Sequence, residues 1–302
     1  MLTLRQLRYF KALAETRHFG RAAQACHVTQ PALSMQIKEL ESGLGVTLVE
    51  RRASGIQLTG EGQEVARRAA QILLDAKDLQ DFAAQREGPL GRTLSLGVIP
   101  TIAPYILPRA LPELQRLYPD LDLTLHEAQT GRLLEDLADG ALDVALLALP
   151  AGDKRFTCQT LFEDRFLLAM PAGVPAPEYI RVADLRADKL ILLEEGHCLR
   201  DQALALCGAV DAGAMAKFGA TSLTTVLQMV ANGYGSTLLP EMAAPVELGE
   251  GTTLSLRHLE PEPSRTIGLI WRASAPRQER FSALGDVIRG VWRKGNTGYR
   301  ER

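Results

Sequence analysis

LRQLRYFKALAETRHFGRAAQACHVTQPALSMQIKELESGLGVTLVERR, residues 4–52, decides how the chain begins. Leu4, Leu7, Phe10, Leu13 and Ala14 recur at helical spacing, and a second short helix is expected from Phe19 to Cys26. Thr29 stands where an N-cap belongs, with Pro31 in the first turn, where its missing N–H does no harm. In the third helix Leu33, Ile37 and Leu40 share one apolar face. Pro31, Ser34, Met35 and Lys38 fall opposite, with Gln30 and Gln36 flanking. A face this small and polar suits a helix that enters the major groove, where Ser, Gln and Lys bond base edges or phosphate. After Gly43 and Gly45, VTLVERRASGIQLT reads as strand, turn, strand, a hairpin wing that sets Arg51 and Arg52 against phosphates. Residues 1–58 are therefore expected to be a winged helix-turn-helix that binds double-stranded DNA. The plainer alternative, a helical subdomain with a solvated polar face, leaves the wing and the charge unaccounted for.

The charge is uneven. Residues 1–58 hold eight Lys and Arg against four acids, a net +4; the whole chain is −2, so the remainder is −6. A basic head on an acidic body is the footprint of a nucleic-acid-binding module joined to something else. At 302 residues the chain has room for about two domains, and 46% apolar with 23% charged residues excludes disorder and collagen. The longest apolar run, DVALLALPAG, is far short of a membrane span, and the opening MLTLRQLRYFKALAE lacks the apolar stretch of a signal peptide. A cytoplasmic protein is expected, with Cys26, Cys158, Cys198 and Cys207 reduced by default and a transient disulfide permitted.

Residues 59–88 read as one long linker helix capped by Thr59, with Glu61 and Glu64 in its first turns. Val65, Ala69, Ile72, Ala76, Leu79 and Ala83 follow a heptad seam, which points to dimerisation or to packing on the chain's own body. Gly88, Pro89 and Gly91 break the helix. Beyond them, strands (93–99, 120–128, 143–149, FEDRFLLAM, KLILLEE, 264–272) alternate with helices (104–119, 130–142, CLRDQALALC, SLTTVLQMVANG and a terminal helix). Such units imply an α/β fold, doubly wound, with a mostly parallel sheet. Residues 89–302 are long enough for two lobes, and a ligand between them would sit beyond the carboxyl ends of strands.

No P-loop, GxSxG, HExxH or strand-following GxGxxG occurs, and the five histidines and four cysteines lack zinc spacing. His18, His27 and His258 read as structural or solvated. The segment that carries chemistry is GHCLRDQALALC. Cys198 follows a strand and opens a helix, where the dipole favours thiolate, with His197 and Arg200 beside it. Such a thiol can attack peroxide, leaving a sulfenic acid for a second thiol to resolve. Were residues 198–207 one helix, about 13.5 Å and half a turn would separate the two cysteines, while a disulfide needs Cα atoms within about 7 Å. Closure would require the helix to melt, a covalent bias on a bistable element. Spacing alone fits two ordinary packed cysteines equally well.

The head from Leu4 to Arg52 resembles LysR-type transcriptional regulators, and GPL, GVIPT, LHEAQT, GHCLRDQALALC, FGATSL, STLLP and PEPSRTIGL resemble the peroxide-sensing branch of that family over essentially the whole chain. The resemblance implies a two-lobe, periplasmic-binding-protein-like effector domain (lobe I about 89–161 and 266–302, lobe II about 162–265) and a homotetramer, a dimer of dimers, on promoter DNA. It implies that Cys198 is the peroxidatic thiol and Cys207 the resolving one. Thr101 and Thr130 are then expected to hold hydrogen peroxide, with His197 and Arg265 assisting the reaction. Cys26 and Cys158 match no redox role. The implied partners are RNA polymerase and a glutaredoxin or thioredoxin reductant; no cofactor, metal or membrane is implied, and the output is control of antioxidant genes rather than turnover. Two readings compete: a LysR-type regulator answering to a metabolite in the cleft, and a thiol peroxidase, for which the DNA module would be superfluous. A secreted binding protein is set aside on the missing signal sequence.

Overall fold

The computed structural model describes residues 2–52, 55–84, 90–150, 153–186, 189–208, 219–249, 252–276 and 278–296. The chain divides into two compact units, Met1–Gln85 and Arg86–Arg302.

In the first unit, α1 (Leu4–Thr16), α2 (Phe19–Ala25) and α3 (Gln30–Leu44) precede a hairpin of β1 (Val49–Arg52) and β2 (Gly55–Leu58), followed by α4 (Gly60–Ala84). Leu7, Phe10, Leu13, Leu33, Ile37, Leu40 and Leu48 form its core. The helices begin where local chemistry allows. Thr3 and Gln6 make a capping box at α1, and Thr59 Oγ1 accepts the Gly62 N–H at 2.9 Å at the head of α4. His18, expected to be merely structural or solvated, caps α2: its Nδ1 accepts the Gly20 and Arg21 N–H groups at 3.0 and 3.2 Å. Thr29 is the N-cap of α3 by backbone shape alone, since its hydroxyl makes no capping bond. Two expected faces need correction. Leu4 is exposed; Gln6 holds the buried position, its amide turned to Glu39. Gln36 is buried as well, because its Nε2 donates to Glu39 Oε2 at 2.7 Å.

The expected heptad seam divides. Val65 and Ala69 pack into the head's core, whereas Ile72 (41% exposed) and Leu79 (68%) stand in solvent. The breakers Gly88 and Pro89 lie outside the described residues.

The second unit begins with β3 (Thr93–Val98), α5 (Ala103–Leu117), β4 (Asp122–Glu127), α6 (Thr130–Ala138), β5 (Val144–Leu149) and the long β6 (Phe156–Pro171). It continues through β7 (Tyr179–Arg181), β8 (Leu192–Leu193), α7 (Cys198–Leu206), β9 (Gly219–Ala220), α8 (Leu223–Ala231) and β10 (Thr237–Pro240). It closes with α9 (Ala244–Glu247), β11 (Leu254–Glu260), β12 (Ser264–Arg272) and α10 (Glu279–Asn296). The main sheet runs β4-β3-β5-β12-β6-β11-β7, with β10 also on β6.

The α/β reading holds, but the sheet is mixed. β4–β3–β5 are parallel, as expected, and so are β11 and β7, two strands the sequence reading did not include; β12 is antiparallel to β5 and β6, and β6 is antiparallel to β10 and β11. The cause is β6 itself. Its first part, to Arg165, pairs with β12, and its second part, from Phe166, pairs with β10 and β11. One strand thus passes from one half of the sheet to the other without the crossover helix that parallel pairing requires. The short β8–β9 pair brackets the segment that contains α7. Among the described residues no helix is long and apolar enough to cross a membrane.

Gly97 shows how tightly β3 is held. A Cβ there would lie 2.7 Å from both Leu133 Cδ2 and Leu142 Cδ1, two side chains with no room to retreat. Gly97→Val is expected to destabilise the second unit by about 1–3 kcal/mol through overpacking. The urea midpoint read from tryptophan fluorescence checks it, since Trp271 and Trp292 both lie in that unit; an unmoved midpoint contradicts the packing argument.

Candidate functional site

Three strand-to-helix junctions converge. Thr101 lies between β3 and α5, Thr130 is the first residue of α6, and Cys198 is the first of α7, with His197 as its N-cap. The site is therefore beyond strand ends, where ligands of α/β folds are held. Ile99, Pro100, Thr101, Gln129, Thr130, Gly196, His197 and Cys198 line a cavity of about 160 Å³ of empty space, too narrow to admit a water molecule as it stands.

Arg265, on β12, is buried beside this cavity and anchored on every side. Its Nε and Nη2 each lie 2.9 Å from Asp164 Oδ2, with both side chains wholly excluded from solvent. Nη1 donates to Thr101 Oγ1 at 2.9 Å and Nη2 to the Thr101 carbonyl at 3.0 Å. The other Asp164 oxygen accepts the Met242 N–H at 3.0 Å. A guanidinium only donates, so the Thr101 hydroxyl is fixed as its acceptor and keeps its own proton for another partner. Thr130 Oγ1 is buried and has no partner of conventional geometry, yet it lies close enough to the Cys198 sulfur to favour the thiolate. The sequence-derived set Thr101, Thr130, His197, Cys198 and Arg265 is thus one constellation.

The electrostatics differ from the sequence expectation. Burial pushes the Cys198 thiol above its ordinary value, outweighing the Arg265 charge, the Thr130 hydroxyl and the Leu199 N–H, and Asp201 adds to the upward push. Standing at a helix terminus therefore does not by itself make Cys198 a thiolate at rest, because desolvation favours the neutral thiol. Burial likewise pushes His197 down, against Glu194, so the imidazole favours its neutral form and serves as a hydrogen-bonding group and not as a positive charge. Arg200 turns back to donate to the Leu193 carbonyl at 3.0 Å.

Cys207 is the C-cap of α7, half-buried, its thiol raised by burial. Residues 198–206 are helical, which places the two cysteines about 13.5 Å apart along the axis. Only Leu199 and Ala203 of α7 are fully buried, so little apolar area anchors it. Cys26 lies half-buried in the head and Cys158 is exposed on β6; neither reaches the cavity.

On α3, Gln30, Pro31, Met35 (56% exposed) and Lys38 face solvent and Ser34 is partly covered, so the expected DNA-reading face is open. The backbone of Arg51 and Arg52 is in the wing; their side chains lie outside what the structure describes. Sequence reasoning missed Asp164, Gln129 and Met242. The charged run Glu163–Asp164–Arg165 at the head of the apolar stretch FLLAM was the available signal for Asp164.

A winged head and a two-part α/β domain with its site at strand ends define a bacterial transcriptional regulator with an effector-sensing module. Residues 4–63 match the family described as bacterial regulatory helix-turn-helix proteins of the lysR family, and residues 87–293 match the LysR substrate binding domain, so the chain belongs to the LysR family. Within it, the chain is similar to OxyR: it is 43% identical over 290 residues, 95% of each chain, to the DNA-binding transcriptional dual regulator OxyR of Escherichia coli K12. A full-length OxyR of Pseudomonas aeruginosa with a cysteine-to-aspartate change superposes with a TM-score of 0.74 at 37% identity, covering 96% of this chain and 98% of that one. The hydrogen-peroxide-bound cysteine-to-serine mutant of Corynebacterium glutamicum OxyR gives a TM-score of 0.65 at 36% identity, covering 98% and 97%.

The raised Cys198 thiol has a measurable consequence. Below a thiol's pKa the thiolate fraction grows about tenfold per pH unit. Labelling of Cys198 by a small thiol reagent, followed by peptide mapping of the reduced protein, is expected to accelerate continuously from pH 7 through pH 8.5. A rate that levels off below pH 8 would show that the thiolate is stabilised at rest.

Proposed function

We propose that this chain is a DNA-binding transcriptional regulator that detects hydrogen peroxide at Cys198. The observation that carries the reading is the narrow cleft over this sulfur, with one hydroxyl lacking a conventional partner (Thr130) and another held as an acceptor with its proton free (Thr101). A metabolite-sized ligand needs a pocket of roughly 300–1,000 Å³, and the space above Cys198 is too narrow even for a water molecule as it stands. A ligand of two oxygens demands the smaller rearrangement, and the Thr101 and Thr130 hydroxyls stand ready to receive it.

The chemistry follows from the donors. Cys198 loses its proton, and neutral His197 is the neighbouring group able to accept it. The sulfur attacks one peroxide oxygen; the S–O bond forms as the O–O bond breaks, and two electrons pass from sulfur to the departing oxygen, which leaves as water once protonated. Thr101 and Thr130 donate to the peroxide oxygens, and Arg265 stabilises the negative charge that develops between sulfur and leaving group. Cys207 then displaces the sulfenic hydroxyl as water, forming the disulfide. Because α7 holds these sulfurs apart, the bond requires α7 to unwind, and the refolded segment carries the signal. A glutaredoxin or thioredoxin dithiol returns the protein to its reduced form.

Ile72 and Leu79 leave the second half of the α4 seam uncovered in one chain, which supports pairing of linker helices and a tetramer built as a dimer of dimers on promoter DNA. RNA polymerase is the partner at the promoter, the antioxidant genes are the targets, and the cytoplasm is the compartment.

Two experiments test this reading. Non-reducing peptide mapping after stoichiometric peroxide is expected to show a Cys198–Cys207 crosslink in the unsubstituted protein, a sulfenic acid or mixed disulfide at residue 198 in Cys207→Ser, and no transcriptional response in Cys198→Ser; a response retained in Cys198→Ser refutes the sensor. Separately, Arg51→Ala is expected to weaken DNA binding across sequences and to lower the slope of log K against log salt by about 0.9, the value of one lost phosphate contact; an unchanged slope removes the wing residue from the DNA contacts.

A further inference from the structure

On its solvent side the cavity is lined by Gly196 and by the side chain of Gln129. Gln129, the N-cap residue of α6, extends across to donate from Nε2 to the Glu195 carbonyl at 3.2 Å, on the exposed side of the site. It lies over Gly196, and the fit is mutual: a Cβ at residue 196 would run into Gln129 Oε1, and Gly196 has a φ of 90°, where an L side chain is strained. The roof over Cys198 is therefore a carboxamide resting on a glycine, tethered by one exposed hydrogen bond. The walls beneath it, by contrast, are pinned, Thr101 by a wholly buried Arg265.

We propose that Gln129 is a specificity-determining residue that admits hydrogen peroxide to Cys198 and excludes hydroperoxides carrying an organic group. The inference rests on the peroxide reading of Cys198 and adds what selects the oxidant. The cavity as closed lacks room even for water, so entry needs the roof to lift. A ligand of two oxygens requires a small displacement, with the Thr101 and Thr130 hydroxyls waiting as partners. A cumyl or tert-butyl group on one oxygen has nowhere to go but into the space of the Gln129 side chain. The chemistry at sulfur is the same for both oxidants: the S–O bond forms, the O–O bond breaks, and the departing oxygen takes a proton and leaves as water or as the alcohol. Selection is then steric and separable from reactivity.

The test uses the full-length reduced protein in a Cys207→Ser background, so that oxidation stops at Cys198. Second-order rates are measured for hydrogen peroxide and for cumene hydroperoxide, and the readout is their ratio, which cancels any general loss of reactivity or stability. In Gln129→Ala the ratio of cumene hydroperoxide to hydrogen peroxide is expected to rise about tenfold or more, the scale on which a pocket discriminates a few missing atoms. In Gln129→Leu, which keeps the bulk and loses the hydrogen bond, the ratio should stay near the parent's. A rise below about threefold in Gln129→Ala, or a rise in Gln129→Leu equal to that in Gln129→Ala, overturns the steric roof. These outcomes are distinct from failure of the underlying reading, which shows as a Cys198 that hydrogen peroxide leaves unmodified in the parent protein.

Discussion

The ion pair between Arg265 and Asp164 is the contact on which the site's geometry rests. Both side chains are wholly buried, so neither charge has water to fall back on. Removing one partner of such a pair costs about 3–5 kcal/mol because the survivor is left uncompensated. The remaining donors of Arg265 are committed to Thr101, and the remaining oxygen of Asp164 to the Met242 N–H. Three segments distant in sequence are thereby fixed to one another: the turn after β3, the point where β6 leaves one half of the sheet for the other, and the turn after β10. The orientation of the Thr101 hydroxyl follows from this, as does the distance at which a positive charge acts on Cys198.

Burial, and not the absence of a nearby cation, is what keeps the thiol protonated at rest. Arg265 is the largest downward pull on the Cys198 pKa, and burial still prevails. A sensor gains from this arrangement. A thiolate exposed at rest would react with any electrophile, whereas a buried thiol whose hydroxyl and guanidinium neighbours face the reacting oxygens is favoured chiefly in the transition state. The opposing requirement, that the product change the fold, falls on α7. It is nine residues long, below the length at which a helix holds itself together in water, and it relies on Leu199 and Ala203 for burial. Exposing one such leucine costs about 1.5–3 kcal/mol, within the reach of a single covalent bond.

How far this was legible from the chain depends on the range of each cause. The head was legible because its signals are local: the Leu33, Ile37, Leu40 face, the Gly45 stop and the Thr59 cap all act within a turn or two. The bounds of α7, and hence the separation of Cys198 from Cys207, were legible for the same reason. The antiparallel centre of the sheet was not, since nothing near residues 156–171 states that one strand serves two halves. Strands β7 and β10 are short, at three and four residues, and these and the longer β11 take their identity from distant partners. The burial of Gln36 depended on Glu39 of the same helix reaching back, and the capping role of His18 on an imidazole standing in for the usual Ser or Asp. The protonation of Cys198 escaped entirely: a helix terminus can be read locally, whereas desolvation is supplied by segments a hundred residues away.

Selectivity for an oxidant can be built in two ways, through the acidity of the thiol or through the shape of its surroundings. Acidity alone selects poorly, because a more ionised thiol accelerates toward every peroxide and also becomes a weaker nucleophile. Shape discriminates by what must be displaced. On the proposed reading the two fall to different residues: Arg265, Asp164 and the threonine hydroxyls bear on how fast the sulfur reacts, while Gln129, tethered by one exposed bond, bears on what arrives. The separation has a structural reason. A roof that must lift cannot also be the anchored group that organises charge, and the buried ion pair leaves Arg265 no freedom to move aside. Gln129 also donates to the carbonyl of Glu195, three residues before Cys198, so the proposed roof is tethered to the segment that leads into α7 and not to the sheet that anchors Arg265.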